Sequence, residues 1–125
     1  MLGADTIVVV DHTILGKPRD AGDAARMLRL LSGRKHVVIT GICVVGPVAS
    51  KVKTASETTL VTFCELSDDE IRDYVATGEP MDKAGAYAIQ GIASRWIPRI
   101  EGDYGNVVGL PVALVYAMLR ELGAI

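Results

Sequence analysis

Two long stretches rich in β-branched residues constrain the fold of this chain more than any other feature. The first covers residues 36–45 (HVVITGICVV), and the second covers residues 51–63, where Thr and Val recur. β-Branched side chains favour extended backbone because they pack well on a pleated surface. Gly46 and Pro47 directly follow the first stretch, and this pair is typical of a turn. The sequence therefore predicts a long antiparallel hairpin.

Other periodicities predict strands and helices on either side of this hairpin. Residues 7–10 are a continuous β-branched run, which is typical of a strand covered on both faces. Residues 20–32 predict a helix that begins at an Asp20 cap. Further elements are expected in the second half: a helix over 67–76, a strand over 94–100, a polar loop over 101–106 and a helix after Pro111. The sum is a single α/β domain, residues 1–125, with three helices flanking about five strands in a mixed, partly antiparallel sheet.

The composition argues against several classes of partner. The net charge of −2 gives no reason to expect nucleic acid or an anionic membrane. No apolar run has the length of a membrane span, and the first five residues lack the basic region of a signal peptide. Cys43 and Cys64 lie in apolar, strand-like stretches, so we expect buried thiols in a reducing cytoplasm rather than a disulfide. His12 and His36 are too few and too far apart for a zinc site.

Residues 82–91 (DKAGAYAIQG) combine an acid, a base, an amide and two glycines. The small residues let the backbone approach another group closely, and Gln90 offers two donors and one acceptor to a planar polar partner. A tight structural turn, capped by Asp82 and anchored by Tyr87, explains the same residues equally well. This stretch alone leaves a binding loop and a structural turn as alternatives.

Charged residues at strand ends and in loops suggest a site for an anion. Asp5 begins a buried strand, Lys17 follows a glycine, Asp82 and Lys83 are adjacent, and residues 103–106 add Asp and Asn oxygens. Carboxylates and lysines without a His or Cys cluster suit magnesium-assisted phosphate chemistry better than acyl transfer. Taken singly, each residue is better explained as a cap, a turn former or a solvated charge. The pattern indicates an α/β domain that binds an anionic small molecule.

Several strings, in order along nearly the whole chain, resemble the Maf (septum formation inhibitor-like) family. They are LGADT (2–6), LGKP (15–18), LLSG (30–33), DKAGAY (82–87), IQG (89–91) and NVVGLP (106–111). The resemblance implies a nucleoside triphosphate pyrophosphatase that uses a divalent metal, Mg²⁺ or Mn²⁺, and releases a monophosphate and pyrophosphate. The IQG string resembles the branch that acts on dTTP and UTP, although Ala88 stands where that branch usually has Gly. The family resemblance as a whole also implies a Maf-type anvil fold and a link to arrest of septation.

The resemblance also assigns roles to individual residues. Asp5 of GADT matches the proton acceptor and is a candidate metal ligand, with Asp82 as its rival. Thr6 and Gln90 match positions that tune base choice, and Lys17 matches a lysine that faces phosphate. Asp82 and Lys83 complete the candidate substrate-binding set. A carboxylate in a tuned environment, a metal and a lysine together suit phosphoryl transfer.

The main departure from the family is at the N-terminal end of the chain. Family members begin with a strand and an S-x-S-P-R-R string, whose arginines grip the triphosphate; this chain begins at the GADT region. We therefore expect a shortened family member with impaired turnover and an exposed sheet edge, which also predicts a homodimer. The alternatives are a non-catalytic nucleotide-binding or regulatory module and an inert truncated gene product.

Overall fold

A five-stranded antiparallel sheet forms the centre of the protein. The computed structural model describes residues 1–46 and 51–125. The strands are β1 (Leu2–Val10), β2 (Thr13–Leu15), β3 (Lys35–Val45), β4 (Val52–Thr62) and β5 (Arg99–Glu101), in the spatial order β2-β1-β3-β4-β5. All four pairings in this sheet are antiparallel. The α/β class predicted from the sequence is confirmed.

The hairpin of β3 and β4 is the longest pairing in the sheet. Its register runs from the pair Lys35 and Thr62 to the pair Val45 and Val52. This confirms the predicted antiparallel hairpin, whose β-branched residues fit a pleated surface. The predicted turn residue Pro47 lies outside the described residues.

Strand β1 begins at Leu2, five residues before the predicted start, and lies between β2 and β3. Val8 and Val10 are buried, whereas Ile7 and Val9, which point to the opposite face, are only partly buried. The expected burial on both faces is therefore wrong: the helices cover one face, here called the inner face. Because β2 pairs only with residues 8–10, the first part of β1 has β3 alone as its partner.

Within residues 1–46 and 51–125, four α-helices accompany the sheet: α1 (Ala21–Leu31), α2 (Asp68–Ala76), α3 (Tyr104–Val108) and α4 (Val112–Glu121). The predicted caps of the first two are confirmed. The Asp20 carboxylate accepts a hydrogen bond of 2.8 Å from the Asp23 amide, and Ser67 and Glu70 form a reciprocal capping box at α2. Each cap satisfies amide groups that the first helical turn leaves without partners. In the described ranges, no helix is long and apolar enough to cross a membrane.

The core lies on the inner face of the sheet. Helix α1 buries its apolar stripe against the sheet and against α2, in a cluster that includes Ala24, Leu28, Leu31, Val8, Val38, Phe63, Tyr74 and Trp96. A smaller cluster joins Ile42 and Val44 of β3 to Val115 and Met118 of α4. Full burial of one large apolar side chain contributes about 1.5–3 kcal/mol, so these two clusters hold the helices on this face.

The strand predicted over residues 94–100 is correct only at its end. Ile92–Trp96 forms a 3₁₀ helix, and strand β5 covers Arg99–Glu101. Ala93 and Trp96, three residues apart, are both buried, which is the spacing of a 3₁₀ turn rather than of a strand. The Trp96 indole also donates a hydrogen bond of 3.0 Å to the Glu70 carboxylate.

The polar loop predicted over residues 101–106 is wrong in its second half. Helix α3 begins after Asp103, whose carboxylate accepts a hydrogen bond of 2.7 Å from the Asn106 amide. An aspartate in this position is a common helix N-cap.

The expected burial of Cys43 and Cys64 is also wrong, because both are exposed; the expectation that they are free thiols is confirmed. Cys43 follows the buried Ile42 along β3 and therefore points to the outer face, which the helices leave open.

One close contact fixes the turn at residues 84–86 against β1. Gly85 has a φ of +73°, and a Cβ atom added there would lie 2.8 Å from Cγ2 of Val8. The Gly85 amide donates a hydrogen bond of 3.1 Å to the Gly16 carbonyl. Glycine avoids both the backbone strain and the collision. The alternative of a tight structural turn at this position is thus correct for its backbone, but the predicted Asp82 cap is wrong, because neither 3₁₀ turn has a side-chain cap.

We predict that Gly85→Ala lowers the free energy of unfolding by about 2–4 kcal/mol, because it adds left-handed strain to a collision with β1. Gly41→Ala is the matched control: its new Cβ meets no described atom within 4 Å. That variant should be as stable as the parent. Urea unfolding monitored by circular dichroism measures both changes, and equal stability of the two variants would contradict this account of Gly85.

Candidate functional site

A cleft of about 280 Å³ opens beside the part of β1 that β2 leaves unpaired. Five segments line it: the start of β1, Lys17 between β2 and α1, Val38 of β3, residues 82–87, and the end of α3. Its lining includes Ala4, Asp5, Thr6, Lys17, Asp82, Lys83, Tyr87, Val107 and Gly109. Unpaired strand backbone and several converging segments leave room here for a ligand.

The cleft brings together five of the six residues selected from the sequence: Asp5, Thr6, Lys17, Asp82 and Lys83. The sixth, Gln90, lines a smaller cavity of about 60 Å³. The two cavities share four lining residues: Lys83, Tyr87, Val107 and Val108. Residues separated by up to 85 positions in the chain therefore line adjoining cavities. The chemical roles assigned to them stay predictions.

Asp103 and Asn106 do not contribute oxygen ligands in the way the sequence suggested. The Asp103 carboxylate caps α3, and Asn106 is completely buried beneath the cleft. The Asn106 side-chain nitrogen donates to the carbonyls of Val38 and Glu57, at 3.0 Å and 3.2 Å. Both residues therefore hold the α3 wall in place.

Charges of both signs line the cleft. The Lys83 ammonium lies 3.6 Å from the Asp82 carboxylate, and both side chains are substantially exposed. An exposed ion pair at this distance contributes little energy, so the Lys83 ammonium can exchange this partner for an anionic ligand. Lys17 and Asp5 are also among the lining residues. Two cations and two carboxylates suit an anion that arrives with a metal ion.

The loop that carries Gln90 is held by Tyr74 and Glu79. The Ala88 amide donates to the Tyr74 hydroxyl at 3.2 Å, and the Ile92 amide donates to the Glu79 carboxylate at 3.4 Å. Burial, followed by the nearby Glu79 carboxylate, raises the pKa of Tyr74, so its hydroxyl stays protonated near pH 7. A Cβ atom at position 91 would displace the Glu79 carboxylate from its present position. These contacts give the backbone around Gln90 a defined position.

Tyr87 lines both cavities, and its hydroxyl is hydrogen-bonded to His36 in the core. The Tyr87 hydroxyl and Nε2 of His36 share a hydrogen bond of 2.7 Å in the core, and Phe63 packs edge-on against both rings. Burial lowers the pKa of His36 to about 4 and raises the pKa of Tyr87. Both side chains are therefore neutral near pH 7, which costs less than burying a charge.

A chain of hydroxyl groups runs under the β1 wall of the cleft. The hydroxyls of Thr6 and Thr40 lie 2.9 Å apart on the inner face, and Thr40 also contacts the main-chain carbonyl of Asn106 at 3.5 Å.

Sequence reasoning missed Thr40, His36 and Glu79 as supports, because each occurs in an ordinary strand or helix-end context. The α3 wall was missed as well, although the N-cap position of Asp103 is a usable signal for it.

Together, fold and site define an α/β domain with a polar, charge-balanced cleft beside a strand edge, suited to a phosphorylated small molecule. The family model described as Maf-like protein matches residues 1–122. The chain belongs to the Maf family.

Curated relatives agree with this family. A protein of Koribacter versatilis named dTTP/UTP pyrophosphatase is 61% identical over 125 residues, which is 100% of this chain and 64% of that protein. Proteins of the same name from Syntrophotalea carbinolica and Thermococcus gammatolerans are 58% and 54% identical, over 99% and 98% of this chain and 56% and 65% of their own lengths. The chain therefore spans between 56% and 65% of the length of these relatives.

The buried His36 predicts a pH dependence of stability. Its pKa is about 4 in the folded state and near 6.5 when exposed, so the unfolded chain binds the extra proton between these values. Its contribution is present above pH 6.5 and is lost as the pH falls toward 4. We expect a loss of about 2 kcal/mol between pH 7 and pH 5.

Urea unfolding at the two pH values measures this loss. His36→Gln should remove most of the dependence, whereas His12→Gln, which changes an exposed histidine, should keep it. An unchanged dependence in His36→Gln would show that other groups produce it.

Proposed function

We propose that this chain hydrolyses dTTP and UTP to the nucleoside monophosphate and pyrophosphate. The observation that carries the proposal is the cleft beside β1, lined by a strand-end carboxylate, Asp5, and by the lysines Lys17 and Lys83. The names of the relatives point to the same substrates. A carboxylate and two ammonium groups on one cleft suit activation of water next to a triphosphate.

In the reaction, Asp5 accepts a proton from a water molecule whose oxygen attacks the α-phosphorus. A new bond forms from this oxygen to the α-phosphorus, and the bond from the α-phosphorus to the α,β-bridging oxygen breaks. Pyrophosphate leaves with the bridging oxygen and its electron pair. Lys17 and Lys83 offset the negative charge that grows on the phosphate oxygens. Asp82, on the opposite wall, is the alternative proton acceptor.

The adjoining cavity around Gln90 supports selection of the base. The Gln90 amide presents both donors and an acceptor, as the imide edge of thymine or uracil requires of its partner. Thr6 adds a hydroxyl to the β1 wall of the larger cavity. A base whose edge does not match would leave polar groups unpaired inside the cleft, which weakens its binding.

A divalent cation, Mg²⁺ or Mn²⁺, fits the donor set of the cleft. In the described ranges, no group of three or more His, Cys, Asp or Glu side chains is placed to hold a metal by itself. Magnesium in nucleotide enzymes is commonly held by one or two carboxylates together with substrate phosphates, and Asp5 and Asp82 are such carboxylates. When bound, the ion would neutralise charge on the phosphate oxygens.

We place this activity in the cytoplasm, because both cysteines are free thiols, as is usual in a reducing compartment. A homodimer and a link to septation stay predictions.

Asp5→Asn should lower pyrophosphate release from dTTP by about 100-fold or more, because the amide cannot accept the proton. Binding of dTTP, measured by calorimetry, should remain. Asp73→Asn, which changes an exposed carboxylate on α2, is the matched control and should keep full activity. An unchanged rate in Asp5→Asn would remove Asp5 from this role and favour Asp82. A parent chain that binds dTTP without hydrolysing it would instead be a nucleotide-binding module.

Lys17→Gln should weaken dTTP binding by about tenfold or more, because a charge-assisted contact to phosphate is lost. The weakening should diminish as the salt concentration rises, since salt screens the interaction in the parent. Lys35→Gln, at the exposed start of β3, is the control for loss of one positive charge. Equal affinities of the two variants would exclude Lys17 from the phosphate site.

A further inference from the structure

We propose that Glu79 is a positioning residue for Gln90: together with Tyr74, it fixes the main chain on both sides of Gln90 and so aims the Gln90 amide at the base of a bound nucleotide. Neither Glu79 nor Tyr74 occurs in the strings that carry the family resemblance, and neither is among the described residues that line the cleft or the smaller cavity. The inference rests on the proposed function, because it assumes that the base of dTTP contacts Gln90.

The surroundings of Gln90 show why it needs support from outside its own turn. Gln90 is exposed and lies in a turn that a hydrogen bond of 3.1 Å closes, from the Gly91 amide to the Ala88 carbonyl. A glutamine side chain has several accessible rotamers, so the turn alone leaves the direction of its amide open. The protein can fix the point from which the side chain starts, and this requires the main chain on either side to be held.

Tyr74 holds the main chain before Gln90. Its hydroxyl accepts a hydrogen bond of 3.2 Å from the Ala88 amide, two residues ahead of Gln90. The Tyr74 ring is almost completely buried and packs edge-on against Trp96, with 5.0 Å between the ring centroids. A large ring in a close-packed core has little freedom to move. The Ala88 amide therefore meets an acceptor in a fixed position.

Glu79 holds the main chain after Gln90. Its Oε1 atom accepts a hydrogen bond of 3.4 Å from the Ile92 amide, two residues beyond Gln90. The same carboxylate packs against Gly91, where it occupies the space that a Cβ atom would need. The two supports thus lie at equal distances along the chain on either side of Gln90. Both come from the end of α2 and the 3₁₀ turn that follows it.

The burial of the Glu79 carboxylate points to a role in the site. Its second oxygen, Oε2, is buried and has no hydrogen-bond partner in the part of the chain that the structure describes. A buried carboxylate oxygen without a partner lowers the stability of a fold. Local costs of this kind are expected where a protein places groups for function. The reach of a glutamate explains its presence, because it brings an acceptor to the Ile92 amide.

A positioning role and a general structural role predict different effects on ligands. In the proposed function, Lys17 and Lys83 act on the phosphate oxygens, whereas Gln90 contacts the base. Loss of Glu79 should therefore weaken a ligand that carries a base and spare inorganic tripolyphosphate, which has a chain of three phosphates and no nucleoside. A general loss of structure would weaken both ligands.

The test is calorimetric titration of the 125-residue chain with dTTP and with inorganic tripolyphosphate. Glu79→Ala should weaken dTTP binding about three- to tenfold and leave tripolyphosphate binding unchanged. Tyr74→Phe removes the acceptor for the Ala88 amide and should shift the ratio of the two affinities in the same direction. Glu79→Gln keeps an oxygen acceptor for the Ile92 amide and should keep the ratio of the parent.

A double-mutant cycle shows whether Glu79 acts through Gln90. In a chain that already carries Gln90→Ala, adding Glu79→Ala should cause no further loss of dTTP affinity, because the group that Glu79 positions is gone. Glu65→Ala is the matched control. It removes an exposed glutamate that is not among the described lining residues of either cavity, and both affinities should equal those of the parent. Thermal unfolding of each variant reports any general loss of structure.

The outcomes separate this inference from the proposed function. An unchanged dTTP affinity in Glu79→Ala, an equal weakening of both ligands, or a full additional loss in the Gln90→Ala chain overturns the inference alone. If Glu79→Ala does not fold, Tyr74→Phe decides, and an unchanged ratio there overturns the inference. A parent that does not bind dTTP overturns both. Binding of dTTP without pyrophosphate release overturns the proposed hydrolysis, and the affinity ratio still decides the role of Glu79.

Discussion

The approach of Gly85 to Val8 determines where the cleft lies. Only a residue without a side chain tolerates both the left-handed backbone and the contact with β1 at this point. The Gly85 amide then bonds to the Gly16 carbonyl, which joins the segment before Lys17 to the segment that carries Lys83. Two basic side chains from distant parts of the chain therefore line the same cavity. The remaining features of the site depend on this docking.

Neutral polar groups, all from the inner face, support the cleft from below. His36 holds Tyr87, and Asn106 links α3 to strands β3 and β4. Buried polar groups are costly unless they are paired, so a hydrogen-bonded arrangement here has few alternatives of similar energy. A cleft with a rigid polar floor can present donors and acceptors in fixed positions. Its charged residues, in contrast, are exposed and can adapt to a phosphate chain.

Local signals explain which elements were predicted well. The hairpin and the caps of α1 and α2 follow from β-branched content and from side chains that satisfy nearby amides, both of which act over a few residues. The short helices at Ile92–Trp96 and Tyr104–Val108 have one or two turns, too few for a clear periodicity. The exposure of Cys43 was missed because an apolar strand sequence does not reveal whether one face or both are covered. That depends on where the helices pack.

The sequence by itself determined the α/β class, the hairpin, the helix caps and, through its matching strings, the residues that compose the candidate site. The tertiary structure decided that Asp5, Lys17 and Lys83 share one cleft and that Gln90 lines the cavity beside it. It also decided that threonines of ordinary appearance, Thr6 and Thr40, lie in hydrogen-bond contact beneath the cleft. The physical reason is that capping and strand preference act between neighbours in the chain, whereas a buried hydroxyl contact depends on partners that folding brings from 34 and 66 residues away.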